Sequence, residues 1–220
     1  MASFQITPAF AVPMVFARLD DCEGLNDELR TLFLAREAEG DRHRNPTPVV
    51  NHNAPLYESH FRLFDDPAPC VRRLRDFCWR QLFRAVAELN GYDAATMARL
   101  QLAHESWFHV TRRGGFFGAH KHGMHAWSGV YCVRHDGDDP DSQSGLLTFV
   151  DPNTAASMYV DPSIAAMQPP FSAAHMQLRL QPGQLVLFPS WLMHEVLPYE
   201  GDTERITVAF NARFQLAPAR

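Results

Sequence analysis

From about residue 99 the chain breaks into short runs rich in β-branched and aromatic residues, with Pro, Gly, Asp and Asn between them. The runs are LQLAHESWFHV, SGVYCV, GLLTFV, MQLRL, GQLVLF and RITVAFNARF. Several short strands separated by turn residues predict a sandwich or jelly roll. The first hundred residues read differently. Residues 5–18 are apolar but interrupted by Pro8 and Pro13, which suits an edge strand or extended arm. Leu25, Leu29, Leu32 and Leu34 predict an amphipathic helix over 21–39, ending near Gly40. Val71, Leu74, Cys78, Leu82, Ala85, Val86 and Leu89 predict a second helix over 67–90, with Asp65 and Asp66 to cap it and Asn90-Gly91 to stop it. Residues 41–64 have no clean period and read as loop. That segment and the acidic loop 134–144 are the candidate lids.

The expected fold class is therefore mainly β with flanking helices (α+β). Residues 1–98 form an arm and supporting helices, and 99–214 form the β core. No internal repeat, low-complexity segment or Gly/Ser linker divides the 220 residues, so one structural unit is expected. A formal charge of −5 provides no basic field for nucleic acid. No apolar run reaches the length of a membrane helix, about 20 residues. The opening MASFQITPAF has no signal-peptide pattern. Cys22, Cys70, Cys78 and Cys132 form no C-x-x-C pair and read as reduced structural thiols, which points to a cytoplasmic protein. Oligomeric state is open: an edge strand near 5–18 can pair between two copies as a homodimer, or within one chain.

Histidine carries the chemical signal. The segment Gly118-Ala119-His120-Lys121-His122-Gly123-Met124-His125 places His120 and His122 two apart, on one face if the backbone is extended. Two neutral imidazoles can then converge on iron, copper, nickel or zinc. Such a pair also arises by chance, and a lone strand histidine is more often simply hydrogen-bonded. A third ligand must come from elsewhere. His194 suits this, because it follows the run GQLVLF and the turn Pro189-Ser190-Trp191. Two ligands on one strand and one on a distant strand is the layout of iron sites in jelly-roll oxygenases. His125 differs in parity and is expected to be outside the ligand set. His104 and His109 lie on opposite faces of one strand. His43, His52, His60, His135 and His175 receive the ordinary structural reading.

Arg205-Ile206-Thr207 opens a strand soon after His194. Arg205 and Thr207 share a face, and an arginine fork with a hydroxyl beside it can hold a carboxylate. The alternative is an ion pair with Glu200, Asp202 or Glu204 of the preceding turn. Trp107, Trp127 and Trp191 flank these residues in sequence, as substrate contacts or as core aromatics.

With these pieces in place the chain resembles the Fe(II)/2-oxoglutarate-dependent dioxygenase superfamily, and within it the 2-oxoglutarate–iron oxygenases of bacterial and phage proteins. The resemblance covers about 100–214. It rests on Glu105-Ser106-Trp107-Phe108-His109-Val110, His120-Lys121-His122, Ser128-Gly129-Val130-Tyr131, the block from Pro182-Gly183 to His194, and Arg205-Ile206-Thr207 with Phe210-Asn211. It implies a double-stranded β-helix, Fe(II) at His120, His122 and His194, 2-oxoglutarate on Arg205 with Thr207, and a Tyr131 hydroxyl donating to that cosubstrate. The implied reaction uses dioxygen to hydroxylate a small molecule, amino acid or peptide. Where the wider superfamily has H-x-D or H-x-E, this chain has His122, which leaves such a site one charge more positive. Halogenating members carry a small residue there; His122 is not small, so halogenation is not expected. Two other readings stand beside this one. One is a three-histidine iron dioxygenase that does not use 2-oxoglutarate. The other is a non-catalytic cupin-like module that binds metal or a small ligand.

Overall fold

A computed structural model describes residues 3–218, apart from 49, 54, 137, 138, 140, 154–157 and 173. Its strands are β1 (Val15–Arg18), β2 (Leu56–Glu58), β3 (Leu100–Thr111), β4 (Phe117–His120), β5 (Trp127–Arg134), β6 (Leu147–Phe149), β7 (Met176–Leu178), β8 (Gln184–Pro189), β9 (His194–Val196) and β10 (Arg205–Leu216). Its helices are α1 (Glu23–Ala38), α2 (Pro69–Asn90) and the one-turn α3 (Ala94–Met97). The strands make two sheets, β1-β8-β5-β10-β3-β2 and β4-β9-β6-β7. All pairings between these strands are antiparallel. This is the jelly-roll arrangement that the short runs predict.

The alternation of β10 explains how the layers hold together. Ile206, Val208, Phe210 and Ala212 face the helices, while Arg205, Thr207, Ala209 and Asn211 turn towards the second sheet. On the helix side, Leu25, Leu29 and Phe33 of α1 and Val71, Leu74, Cys78, Leu82 and Val86 of α2 pack against Phe108, Tyr131, Val133, Leu185 and Leu187. Phe33 stacks on Phe108 with ring centroids 4.2 Å apart. Buried leucines of this kind contribute about 2–5 kcal/mol each, judged by truncation to alanine. Between the sheets, Cys132, Val186 and Phe188 meet Leu147, Phe149, Leu180 and Leu192.

Gly91 ends α2 with φ 64°, as expected of a left-handed cap. The start of α2 differs from the expectation. Its N-cap is Ala68, with Pro69 just inside, and no side chain caps it. Asp66 instead accepts the Ala68 N–H at 2.8 Å, one step too early to serve the helix. The sheet also reaches further back than residue 99. β1 is an edge strand paired with β8, and β2, from the segment without a period, pairs Glu58 with His109. Of the acidic loop 134–144, residues 137, 138 and 140 lie outside the described residues. All four cysteines are free and buried. No described helix is long and apolar enough to cross a membrane.

Candidate metal centre

His120 ends β4 and His194 opens β9, and the two are direct cross-strand partners. Their ring centroids are 4.2 Å apart. His122 lies just past β4, so the expectation of one continuous strand through both residues is corrected. A register shift interrupts the β4–β9 ladder between Phe117 and His120, and the chain beyond is held by a His122 N–H bond to the Ser190 carbonyl of 2.8 Å. The His122 ring nevertheless comes within 4.9 Å of His120 and 5.3 Å of His194, centroid to centroid. One ligand atom from each of the three lies within 4.8 Å of the others, as a single ion requires.

Two of the imidazoles are oriented by the backbone. The His120 Nδ1–H donates to the Gly118 carbonyl and the His194 Nδ1–H to the Leu192 carbonyl, each at 2.8 Å. That fixes the tautomer and leaves both Nε2 lone pairs free, the usual way a protein readies a histidine for metal. Burial pushes all three pKa values down, those of His122 and His194 to about 3, and the neighbouring imidazoles add to the effect. Neutral, aimed imidazoles at this spacing fit a divalent transition metal.

Arg205 lines the same cleft as the three histidines, with Trp107, Phe117, Phe188 and Val196 also in its walls. Its side chain is buried, and burial lowers its pKa. The alternative of a partner in the preceding turn does not hold. Glu204 pairs with Arg30 and Arg134, and Asp202 pairs with Arg113. The Arg205 Nε has no hydrogen-bond partner among the described residues. A buried guanidinium nitrogen without a partner is costly, so this cradle suits an anion. Thr207 is buried on the same face of the strand. Gly145 makes room beside them. It has φ +62°, and a Cβ there would come within 2.9 Å of Arg205 Cδ and 3.1 Å of His135 Nε2.

Tyr131 is a correction. It was expected to face the cosubstrate, but the alternation of β5 turns it to the helix side, where its hydroxyl donates to Asn26 Oδ1 at 2.8 Å. Its neighbours Ser128, Gly129 and Val130 line the cleft instead. Trp107 lines the cleft, Trp127 packs on the helix-side core, and Trp191 is 51% exposed. His135, which carries an ordinary structural reading in the sequence, is half-buried beside Arg205; desolvation, with the Arg205 charge adding, pushes its pKa to about 4.

Glu58 and His109 form a buried pair at the side of the triad that the sequence did not reveal. Glu58 Oε2 lies 3.0 Å from His109 Nε2, and Oε1 accepts from Asn45 Nδ2 at 2.6 Å. His109 Nε2 is also 3.1 Å from the Trp107 indole nitrogen, but it cannot both donate and accept. The buried carboxylate has the greater need and takes the N–H. Burial would raise the Glu58 carboxyl, but the His109 and Asn45 bonds outweigh it and hold its pKa low. Glu58 came from a segment without a period and gave no signal; His109 shares the inward parity of Trp107 and could have been placed on that face.

A family described as "Putative 2OG-Fe(II) oxygenase" matches residues 105–211, which contain the three histidines and Arg205. Among curated proteins none matches by sequence. Solved structures match through the fold. A Pseudomonas putida prolyl-4-hydroxylase is 17% identical, with TM-score 0.61 over 92% of each chain. A prolyl hydroxylase from Trichoplax adhaerens, in complex with a hypoxia inducible factor peptide fragment, is 12% identical, with TM-score 0.60 over 91% of this chain and 83% of that one. HygX from Streptomyces hygroscopicus, with nickel and 2-oxoglutarate bound, is 12% identical, with TM-score 0.58 over 92% and 83%.

Proposed function

We propose that this chain, which over residues 105–211 belongs to the 2OG-Fe(II) oxygenase family, uses Fe(II) and 2-oxoglutarate to hydroxylate a small molecule, amino acid or peptide. The observation that carries this reading is one cleft lined both by three convergent imidazoles and by Arg205, whose Nε has no hydrogen-bond partner among the described residues. His120, His122 and His194 would hold the metal by one face, leaving the remaining positions for cosubstrate and dioxygen. Arg205 and Thr207 would hold the distal carboxylate of 2-oxoglutarate. Phe117, Phe188 and Trp107 would keep water from the cleft. When bound, iron and cosubstrate supply the oxidising chemistry, with 2-oxoglutarate decarboxylated to succinate. The protein's own work is to bind, orient and shield.

Anaerobic titration of the metal-free protein with Fe(II) and then 2-oxoglutarate tests this. A weak visible charge-transfer band should appear only when both are present, and it should be lost or much weakened in Arg205→Ala. An undiminished band in that variant would refute the cosubstrate assignment. A second reading draws on the three neutral ligands themselves. Iron dioxygen chemistry without 2-oxoglutarate would place a substrate carboxylate on Arg205, and the absence of 2-oxoglutarate consumption would mark it. Four buried free thiols support a cytoplasmic setting. The β1 edge offers the place where two copies could pair as a homodimer. Residues 1–98 serve in this reading as the support on which the oxygenase core 99–214 rests.

A further inference from the structure

A second cavity, of about 240 Å³, opens on the outer side of the triad. It shares Trp107, Phe117 and His122 with the cleft that holds Arg205, so a group entering it lies against a candidate metal ligand. That volume is below the roughly 300–1,000 Å³ typical of sites that enclose a drug-sized ligand, so it suits a group the size of one amino-acid side chain.

Its walls combine two features. The first is aromatic. Phe61 and Trp107 stand side by side with ring centroids 4.7 Å apart, and Phe117 closes the inner end. The second is negative charge. Glu58 lies in the wall with its side chain only 6% exposed, and Glu105 stands at the mouth, 47% exposed. Among the described residues no Lys or Arg lines the cavity. His125 Nε2 is 3.8 Å from Glu105, too far for a good hydrogen bond. Glu58 does not move to meet a ligand, because Asn45 and His109 hold its two oxygens. Those bonds leave further lone pairs on the carboxylate.

This combination discriminates among ligands. A carboxylate entering would meet a fixed like charge. A neutral apolar group would bury Glu58 further from water without compensation. An ammonium or guanidinium gains both the carboxylate and the faces of the rings. We propose that this cavity receives an organic cation, with Glu58 as its counter-ion, so that the substrate carries an ammonium or guanidinium group beside the atom to be oxidised. The binding follows from the cavity alone; only the oxidation rests on the function proposed above.

The test is calorimetric titration of the full chain, without cosubstrate, in the presence and absence of Zn(II). The cationic probes are 1,5-diaminopentane, as a free amine, and N-acetyl-lysine methylamide, as a peptide side chain. Their neutral counterparts are 1-pentanol and N-acetyl-norleucine methylamide, and glutarate serves as the anion. At least one cation should bind tenfold or more tighter than its neutral counterpart, and which one does so identifies the source. Glu58→Gln should erase that preference. Equal binding of neutral or anionic probes, or an unchanged preference in Glu58→Gln, overturns the proposal. Should Glu58→Gln fail to fold, Glu105→Gln gives the second reading: a several-fold weaker preference is expected, and no change overturns the proposal. The missing charge-transfer band that would defeat the oxygenase reading does not affect this titration.

Discussion

His120 and His194 face each other across the β4–β9 ladder, their rings tilted by 55° with centroids 4.2 Å apart, and both Nδ1–H groups are tied to backbone carbonyls two residues earlier. Residue i bonding to the carbonyl of i−2 aims each ring without help from another side chain. The strand pairing itself therefore carries the alignment. His122 has no such tether among the described residues and depends on the Ser190 carbonyl that anchors its backbone.

Removal of His194 should therefore be the most damaging single change to metal binding. Loss of outer-shell partners alone costs about 10–100-fold in metal affinity. His194→Ala would remove one of the three proposed ligands outright, so Fe(II) affinity should fall by more than about 100-fold. Competition of the apo-protein with a coloured chelator under anaerobic conditions measures this. His125→Ala, outside the triad, should bind Fe(II) within a few-fold of the parent.

Acid should unfold the metal-free protein early. Burial and neighbouring imidazoles hold His122 and His194 at about 3, and burial with the Arg205 charge holds His135 at about 4. In the unfolded chain these groups titrate near 6.5. Between about pH 6.5 and 4 the unfolded state binds more protons, so stability rises with pH across that window and is lost as pH falls. Each such histidine adds at most about 1.4 kcal/mol per pH unit. Urea unfolding at a series of pH values should show this fall, and His135→Gln should have a slope shallower by up to one proton.

The strands were legible because their runs are short, β-rich and bounded by turn residues, so β3, β5, β8 and β10 lie where the texture changes. Three short strands carried no such texture. β2 hid in a segment without a period, and β4 and β9 are three or four residues long and defined by their partner rather than their composition. The His120-x-His122 spacing pointed to a pair and the position of His194 after GQLVLF suggested the third imidazole; the irregularity in the β4–β9 ladder that delivers His122 was not legible. Arg205 needed the fold to show that Asp202 and Glu204 are engaged with other arginines. Glu58 needed it entirely, because only the pairing of β2 with β3 brings it to His109.

Tyr131 separates packing from cosubstrate binding. Its hydroxyl is the donor to Asn26 Oδ1, and the Asn26 Nδ2 already has no partner among the described residues. Tyr131→Phe leaves a buried acceptor unpaired as well, at a cost of about 1–3 kcal/mol. The denaturation midpoint should drop accordingly, while 2-oxoglutarate affinity, read from the anaerobic charge-transfer titration, should stay within twofold of the parent. A selective loss of 2-oxoglutarate binding with unchanged stability would return Tyr131 to the site.

Gly145 is the reverse case, a residue with no side chain whose replacement should act on the anion cradle. At φ +62° a Cβ costs about 1–2 kcal/mol in the backbone alone. The added methyl would also press on Arg205 Cδ and on His135 Nε2, both closer than ordinary contact allows. Arg205 is the movable partner: its Nε has no hydrogen-bond partner among the described residues, whereas the His135 ring is tied through its Nδ1–H to the Asp136 carbonyl. In Gly145→Ala the guanidinium should shift away from the position that faces the triad. The expected result is a 2-oxoglutarate affinity weakened about tenfold or more, with Fe(II) affinity nearly unchanged because none of the three histidines touches Gly145 in close contact. Titrating Fe(II) first and 2-oxoglutarate second resolves the two effects in one sample. Equal weakening of both would mean that Arg205 and the three histidines do not act as separate binding groups.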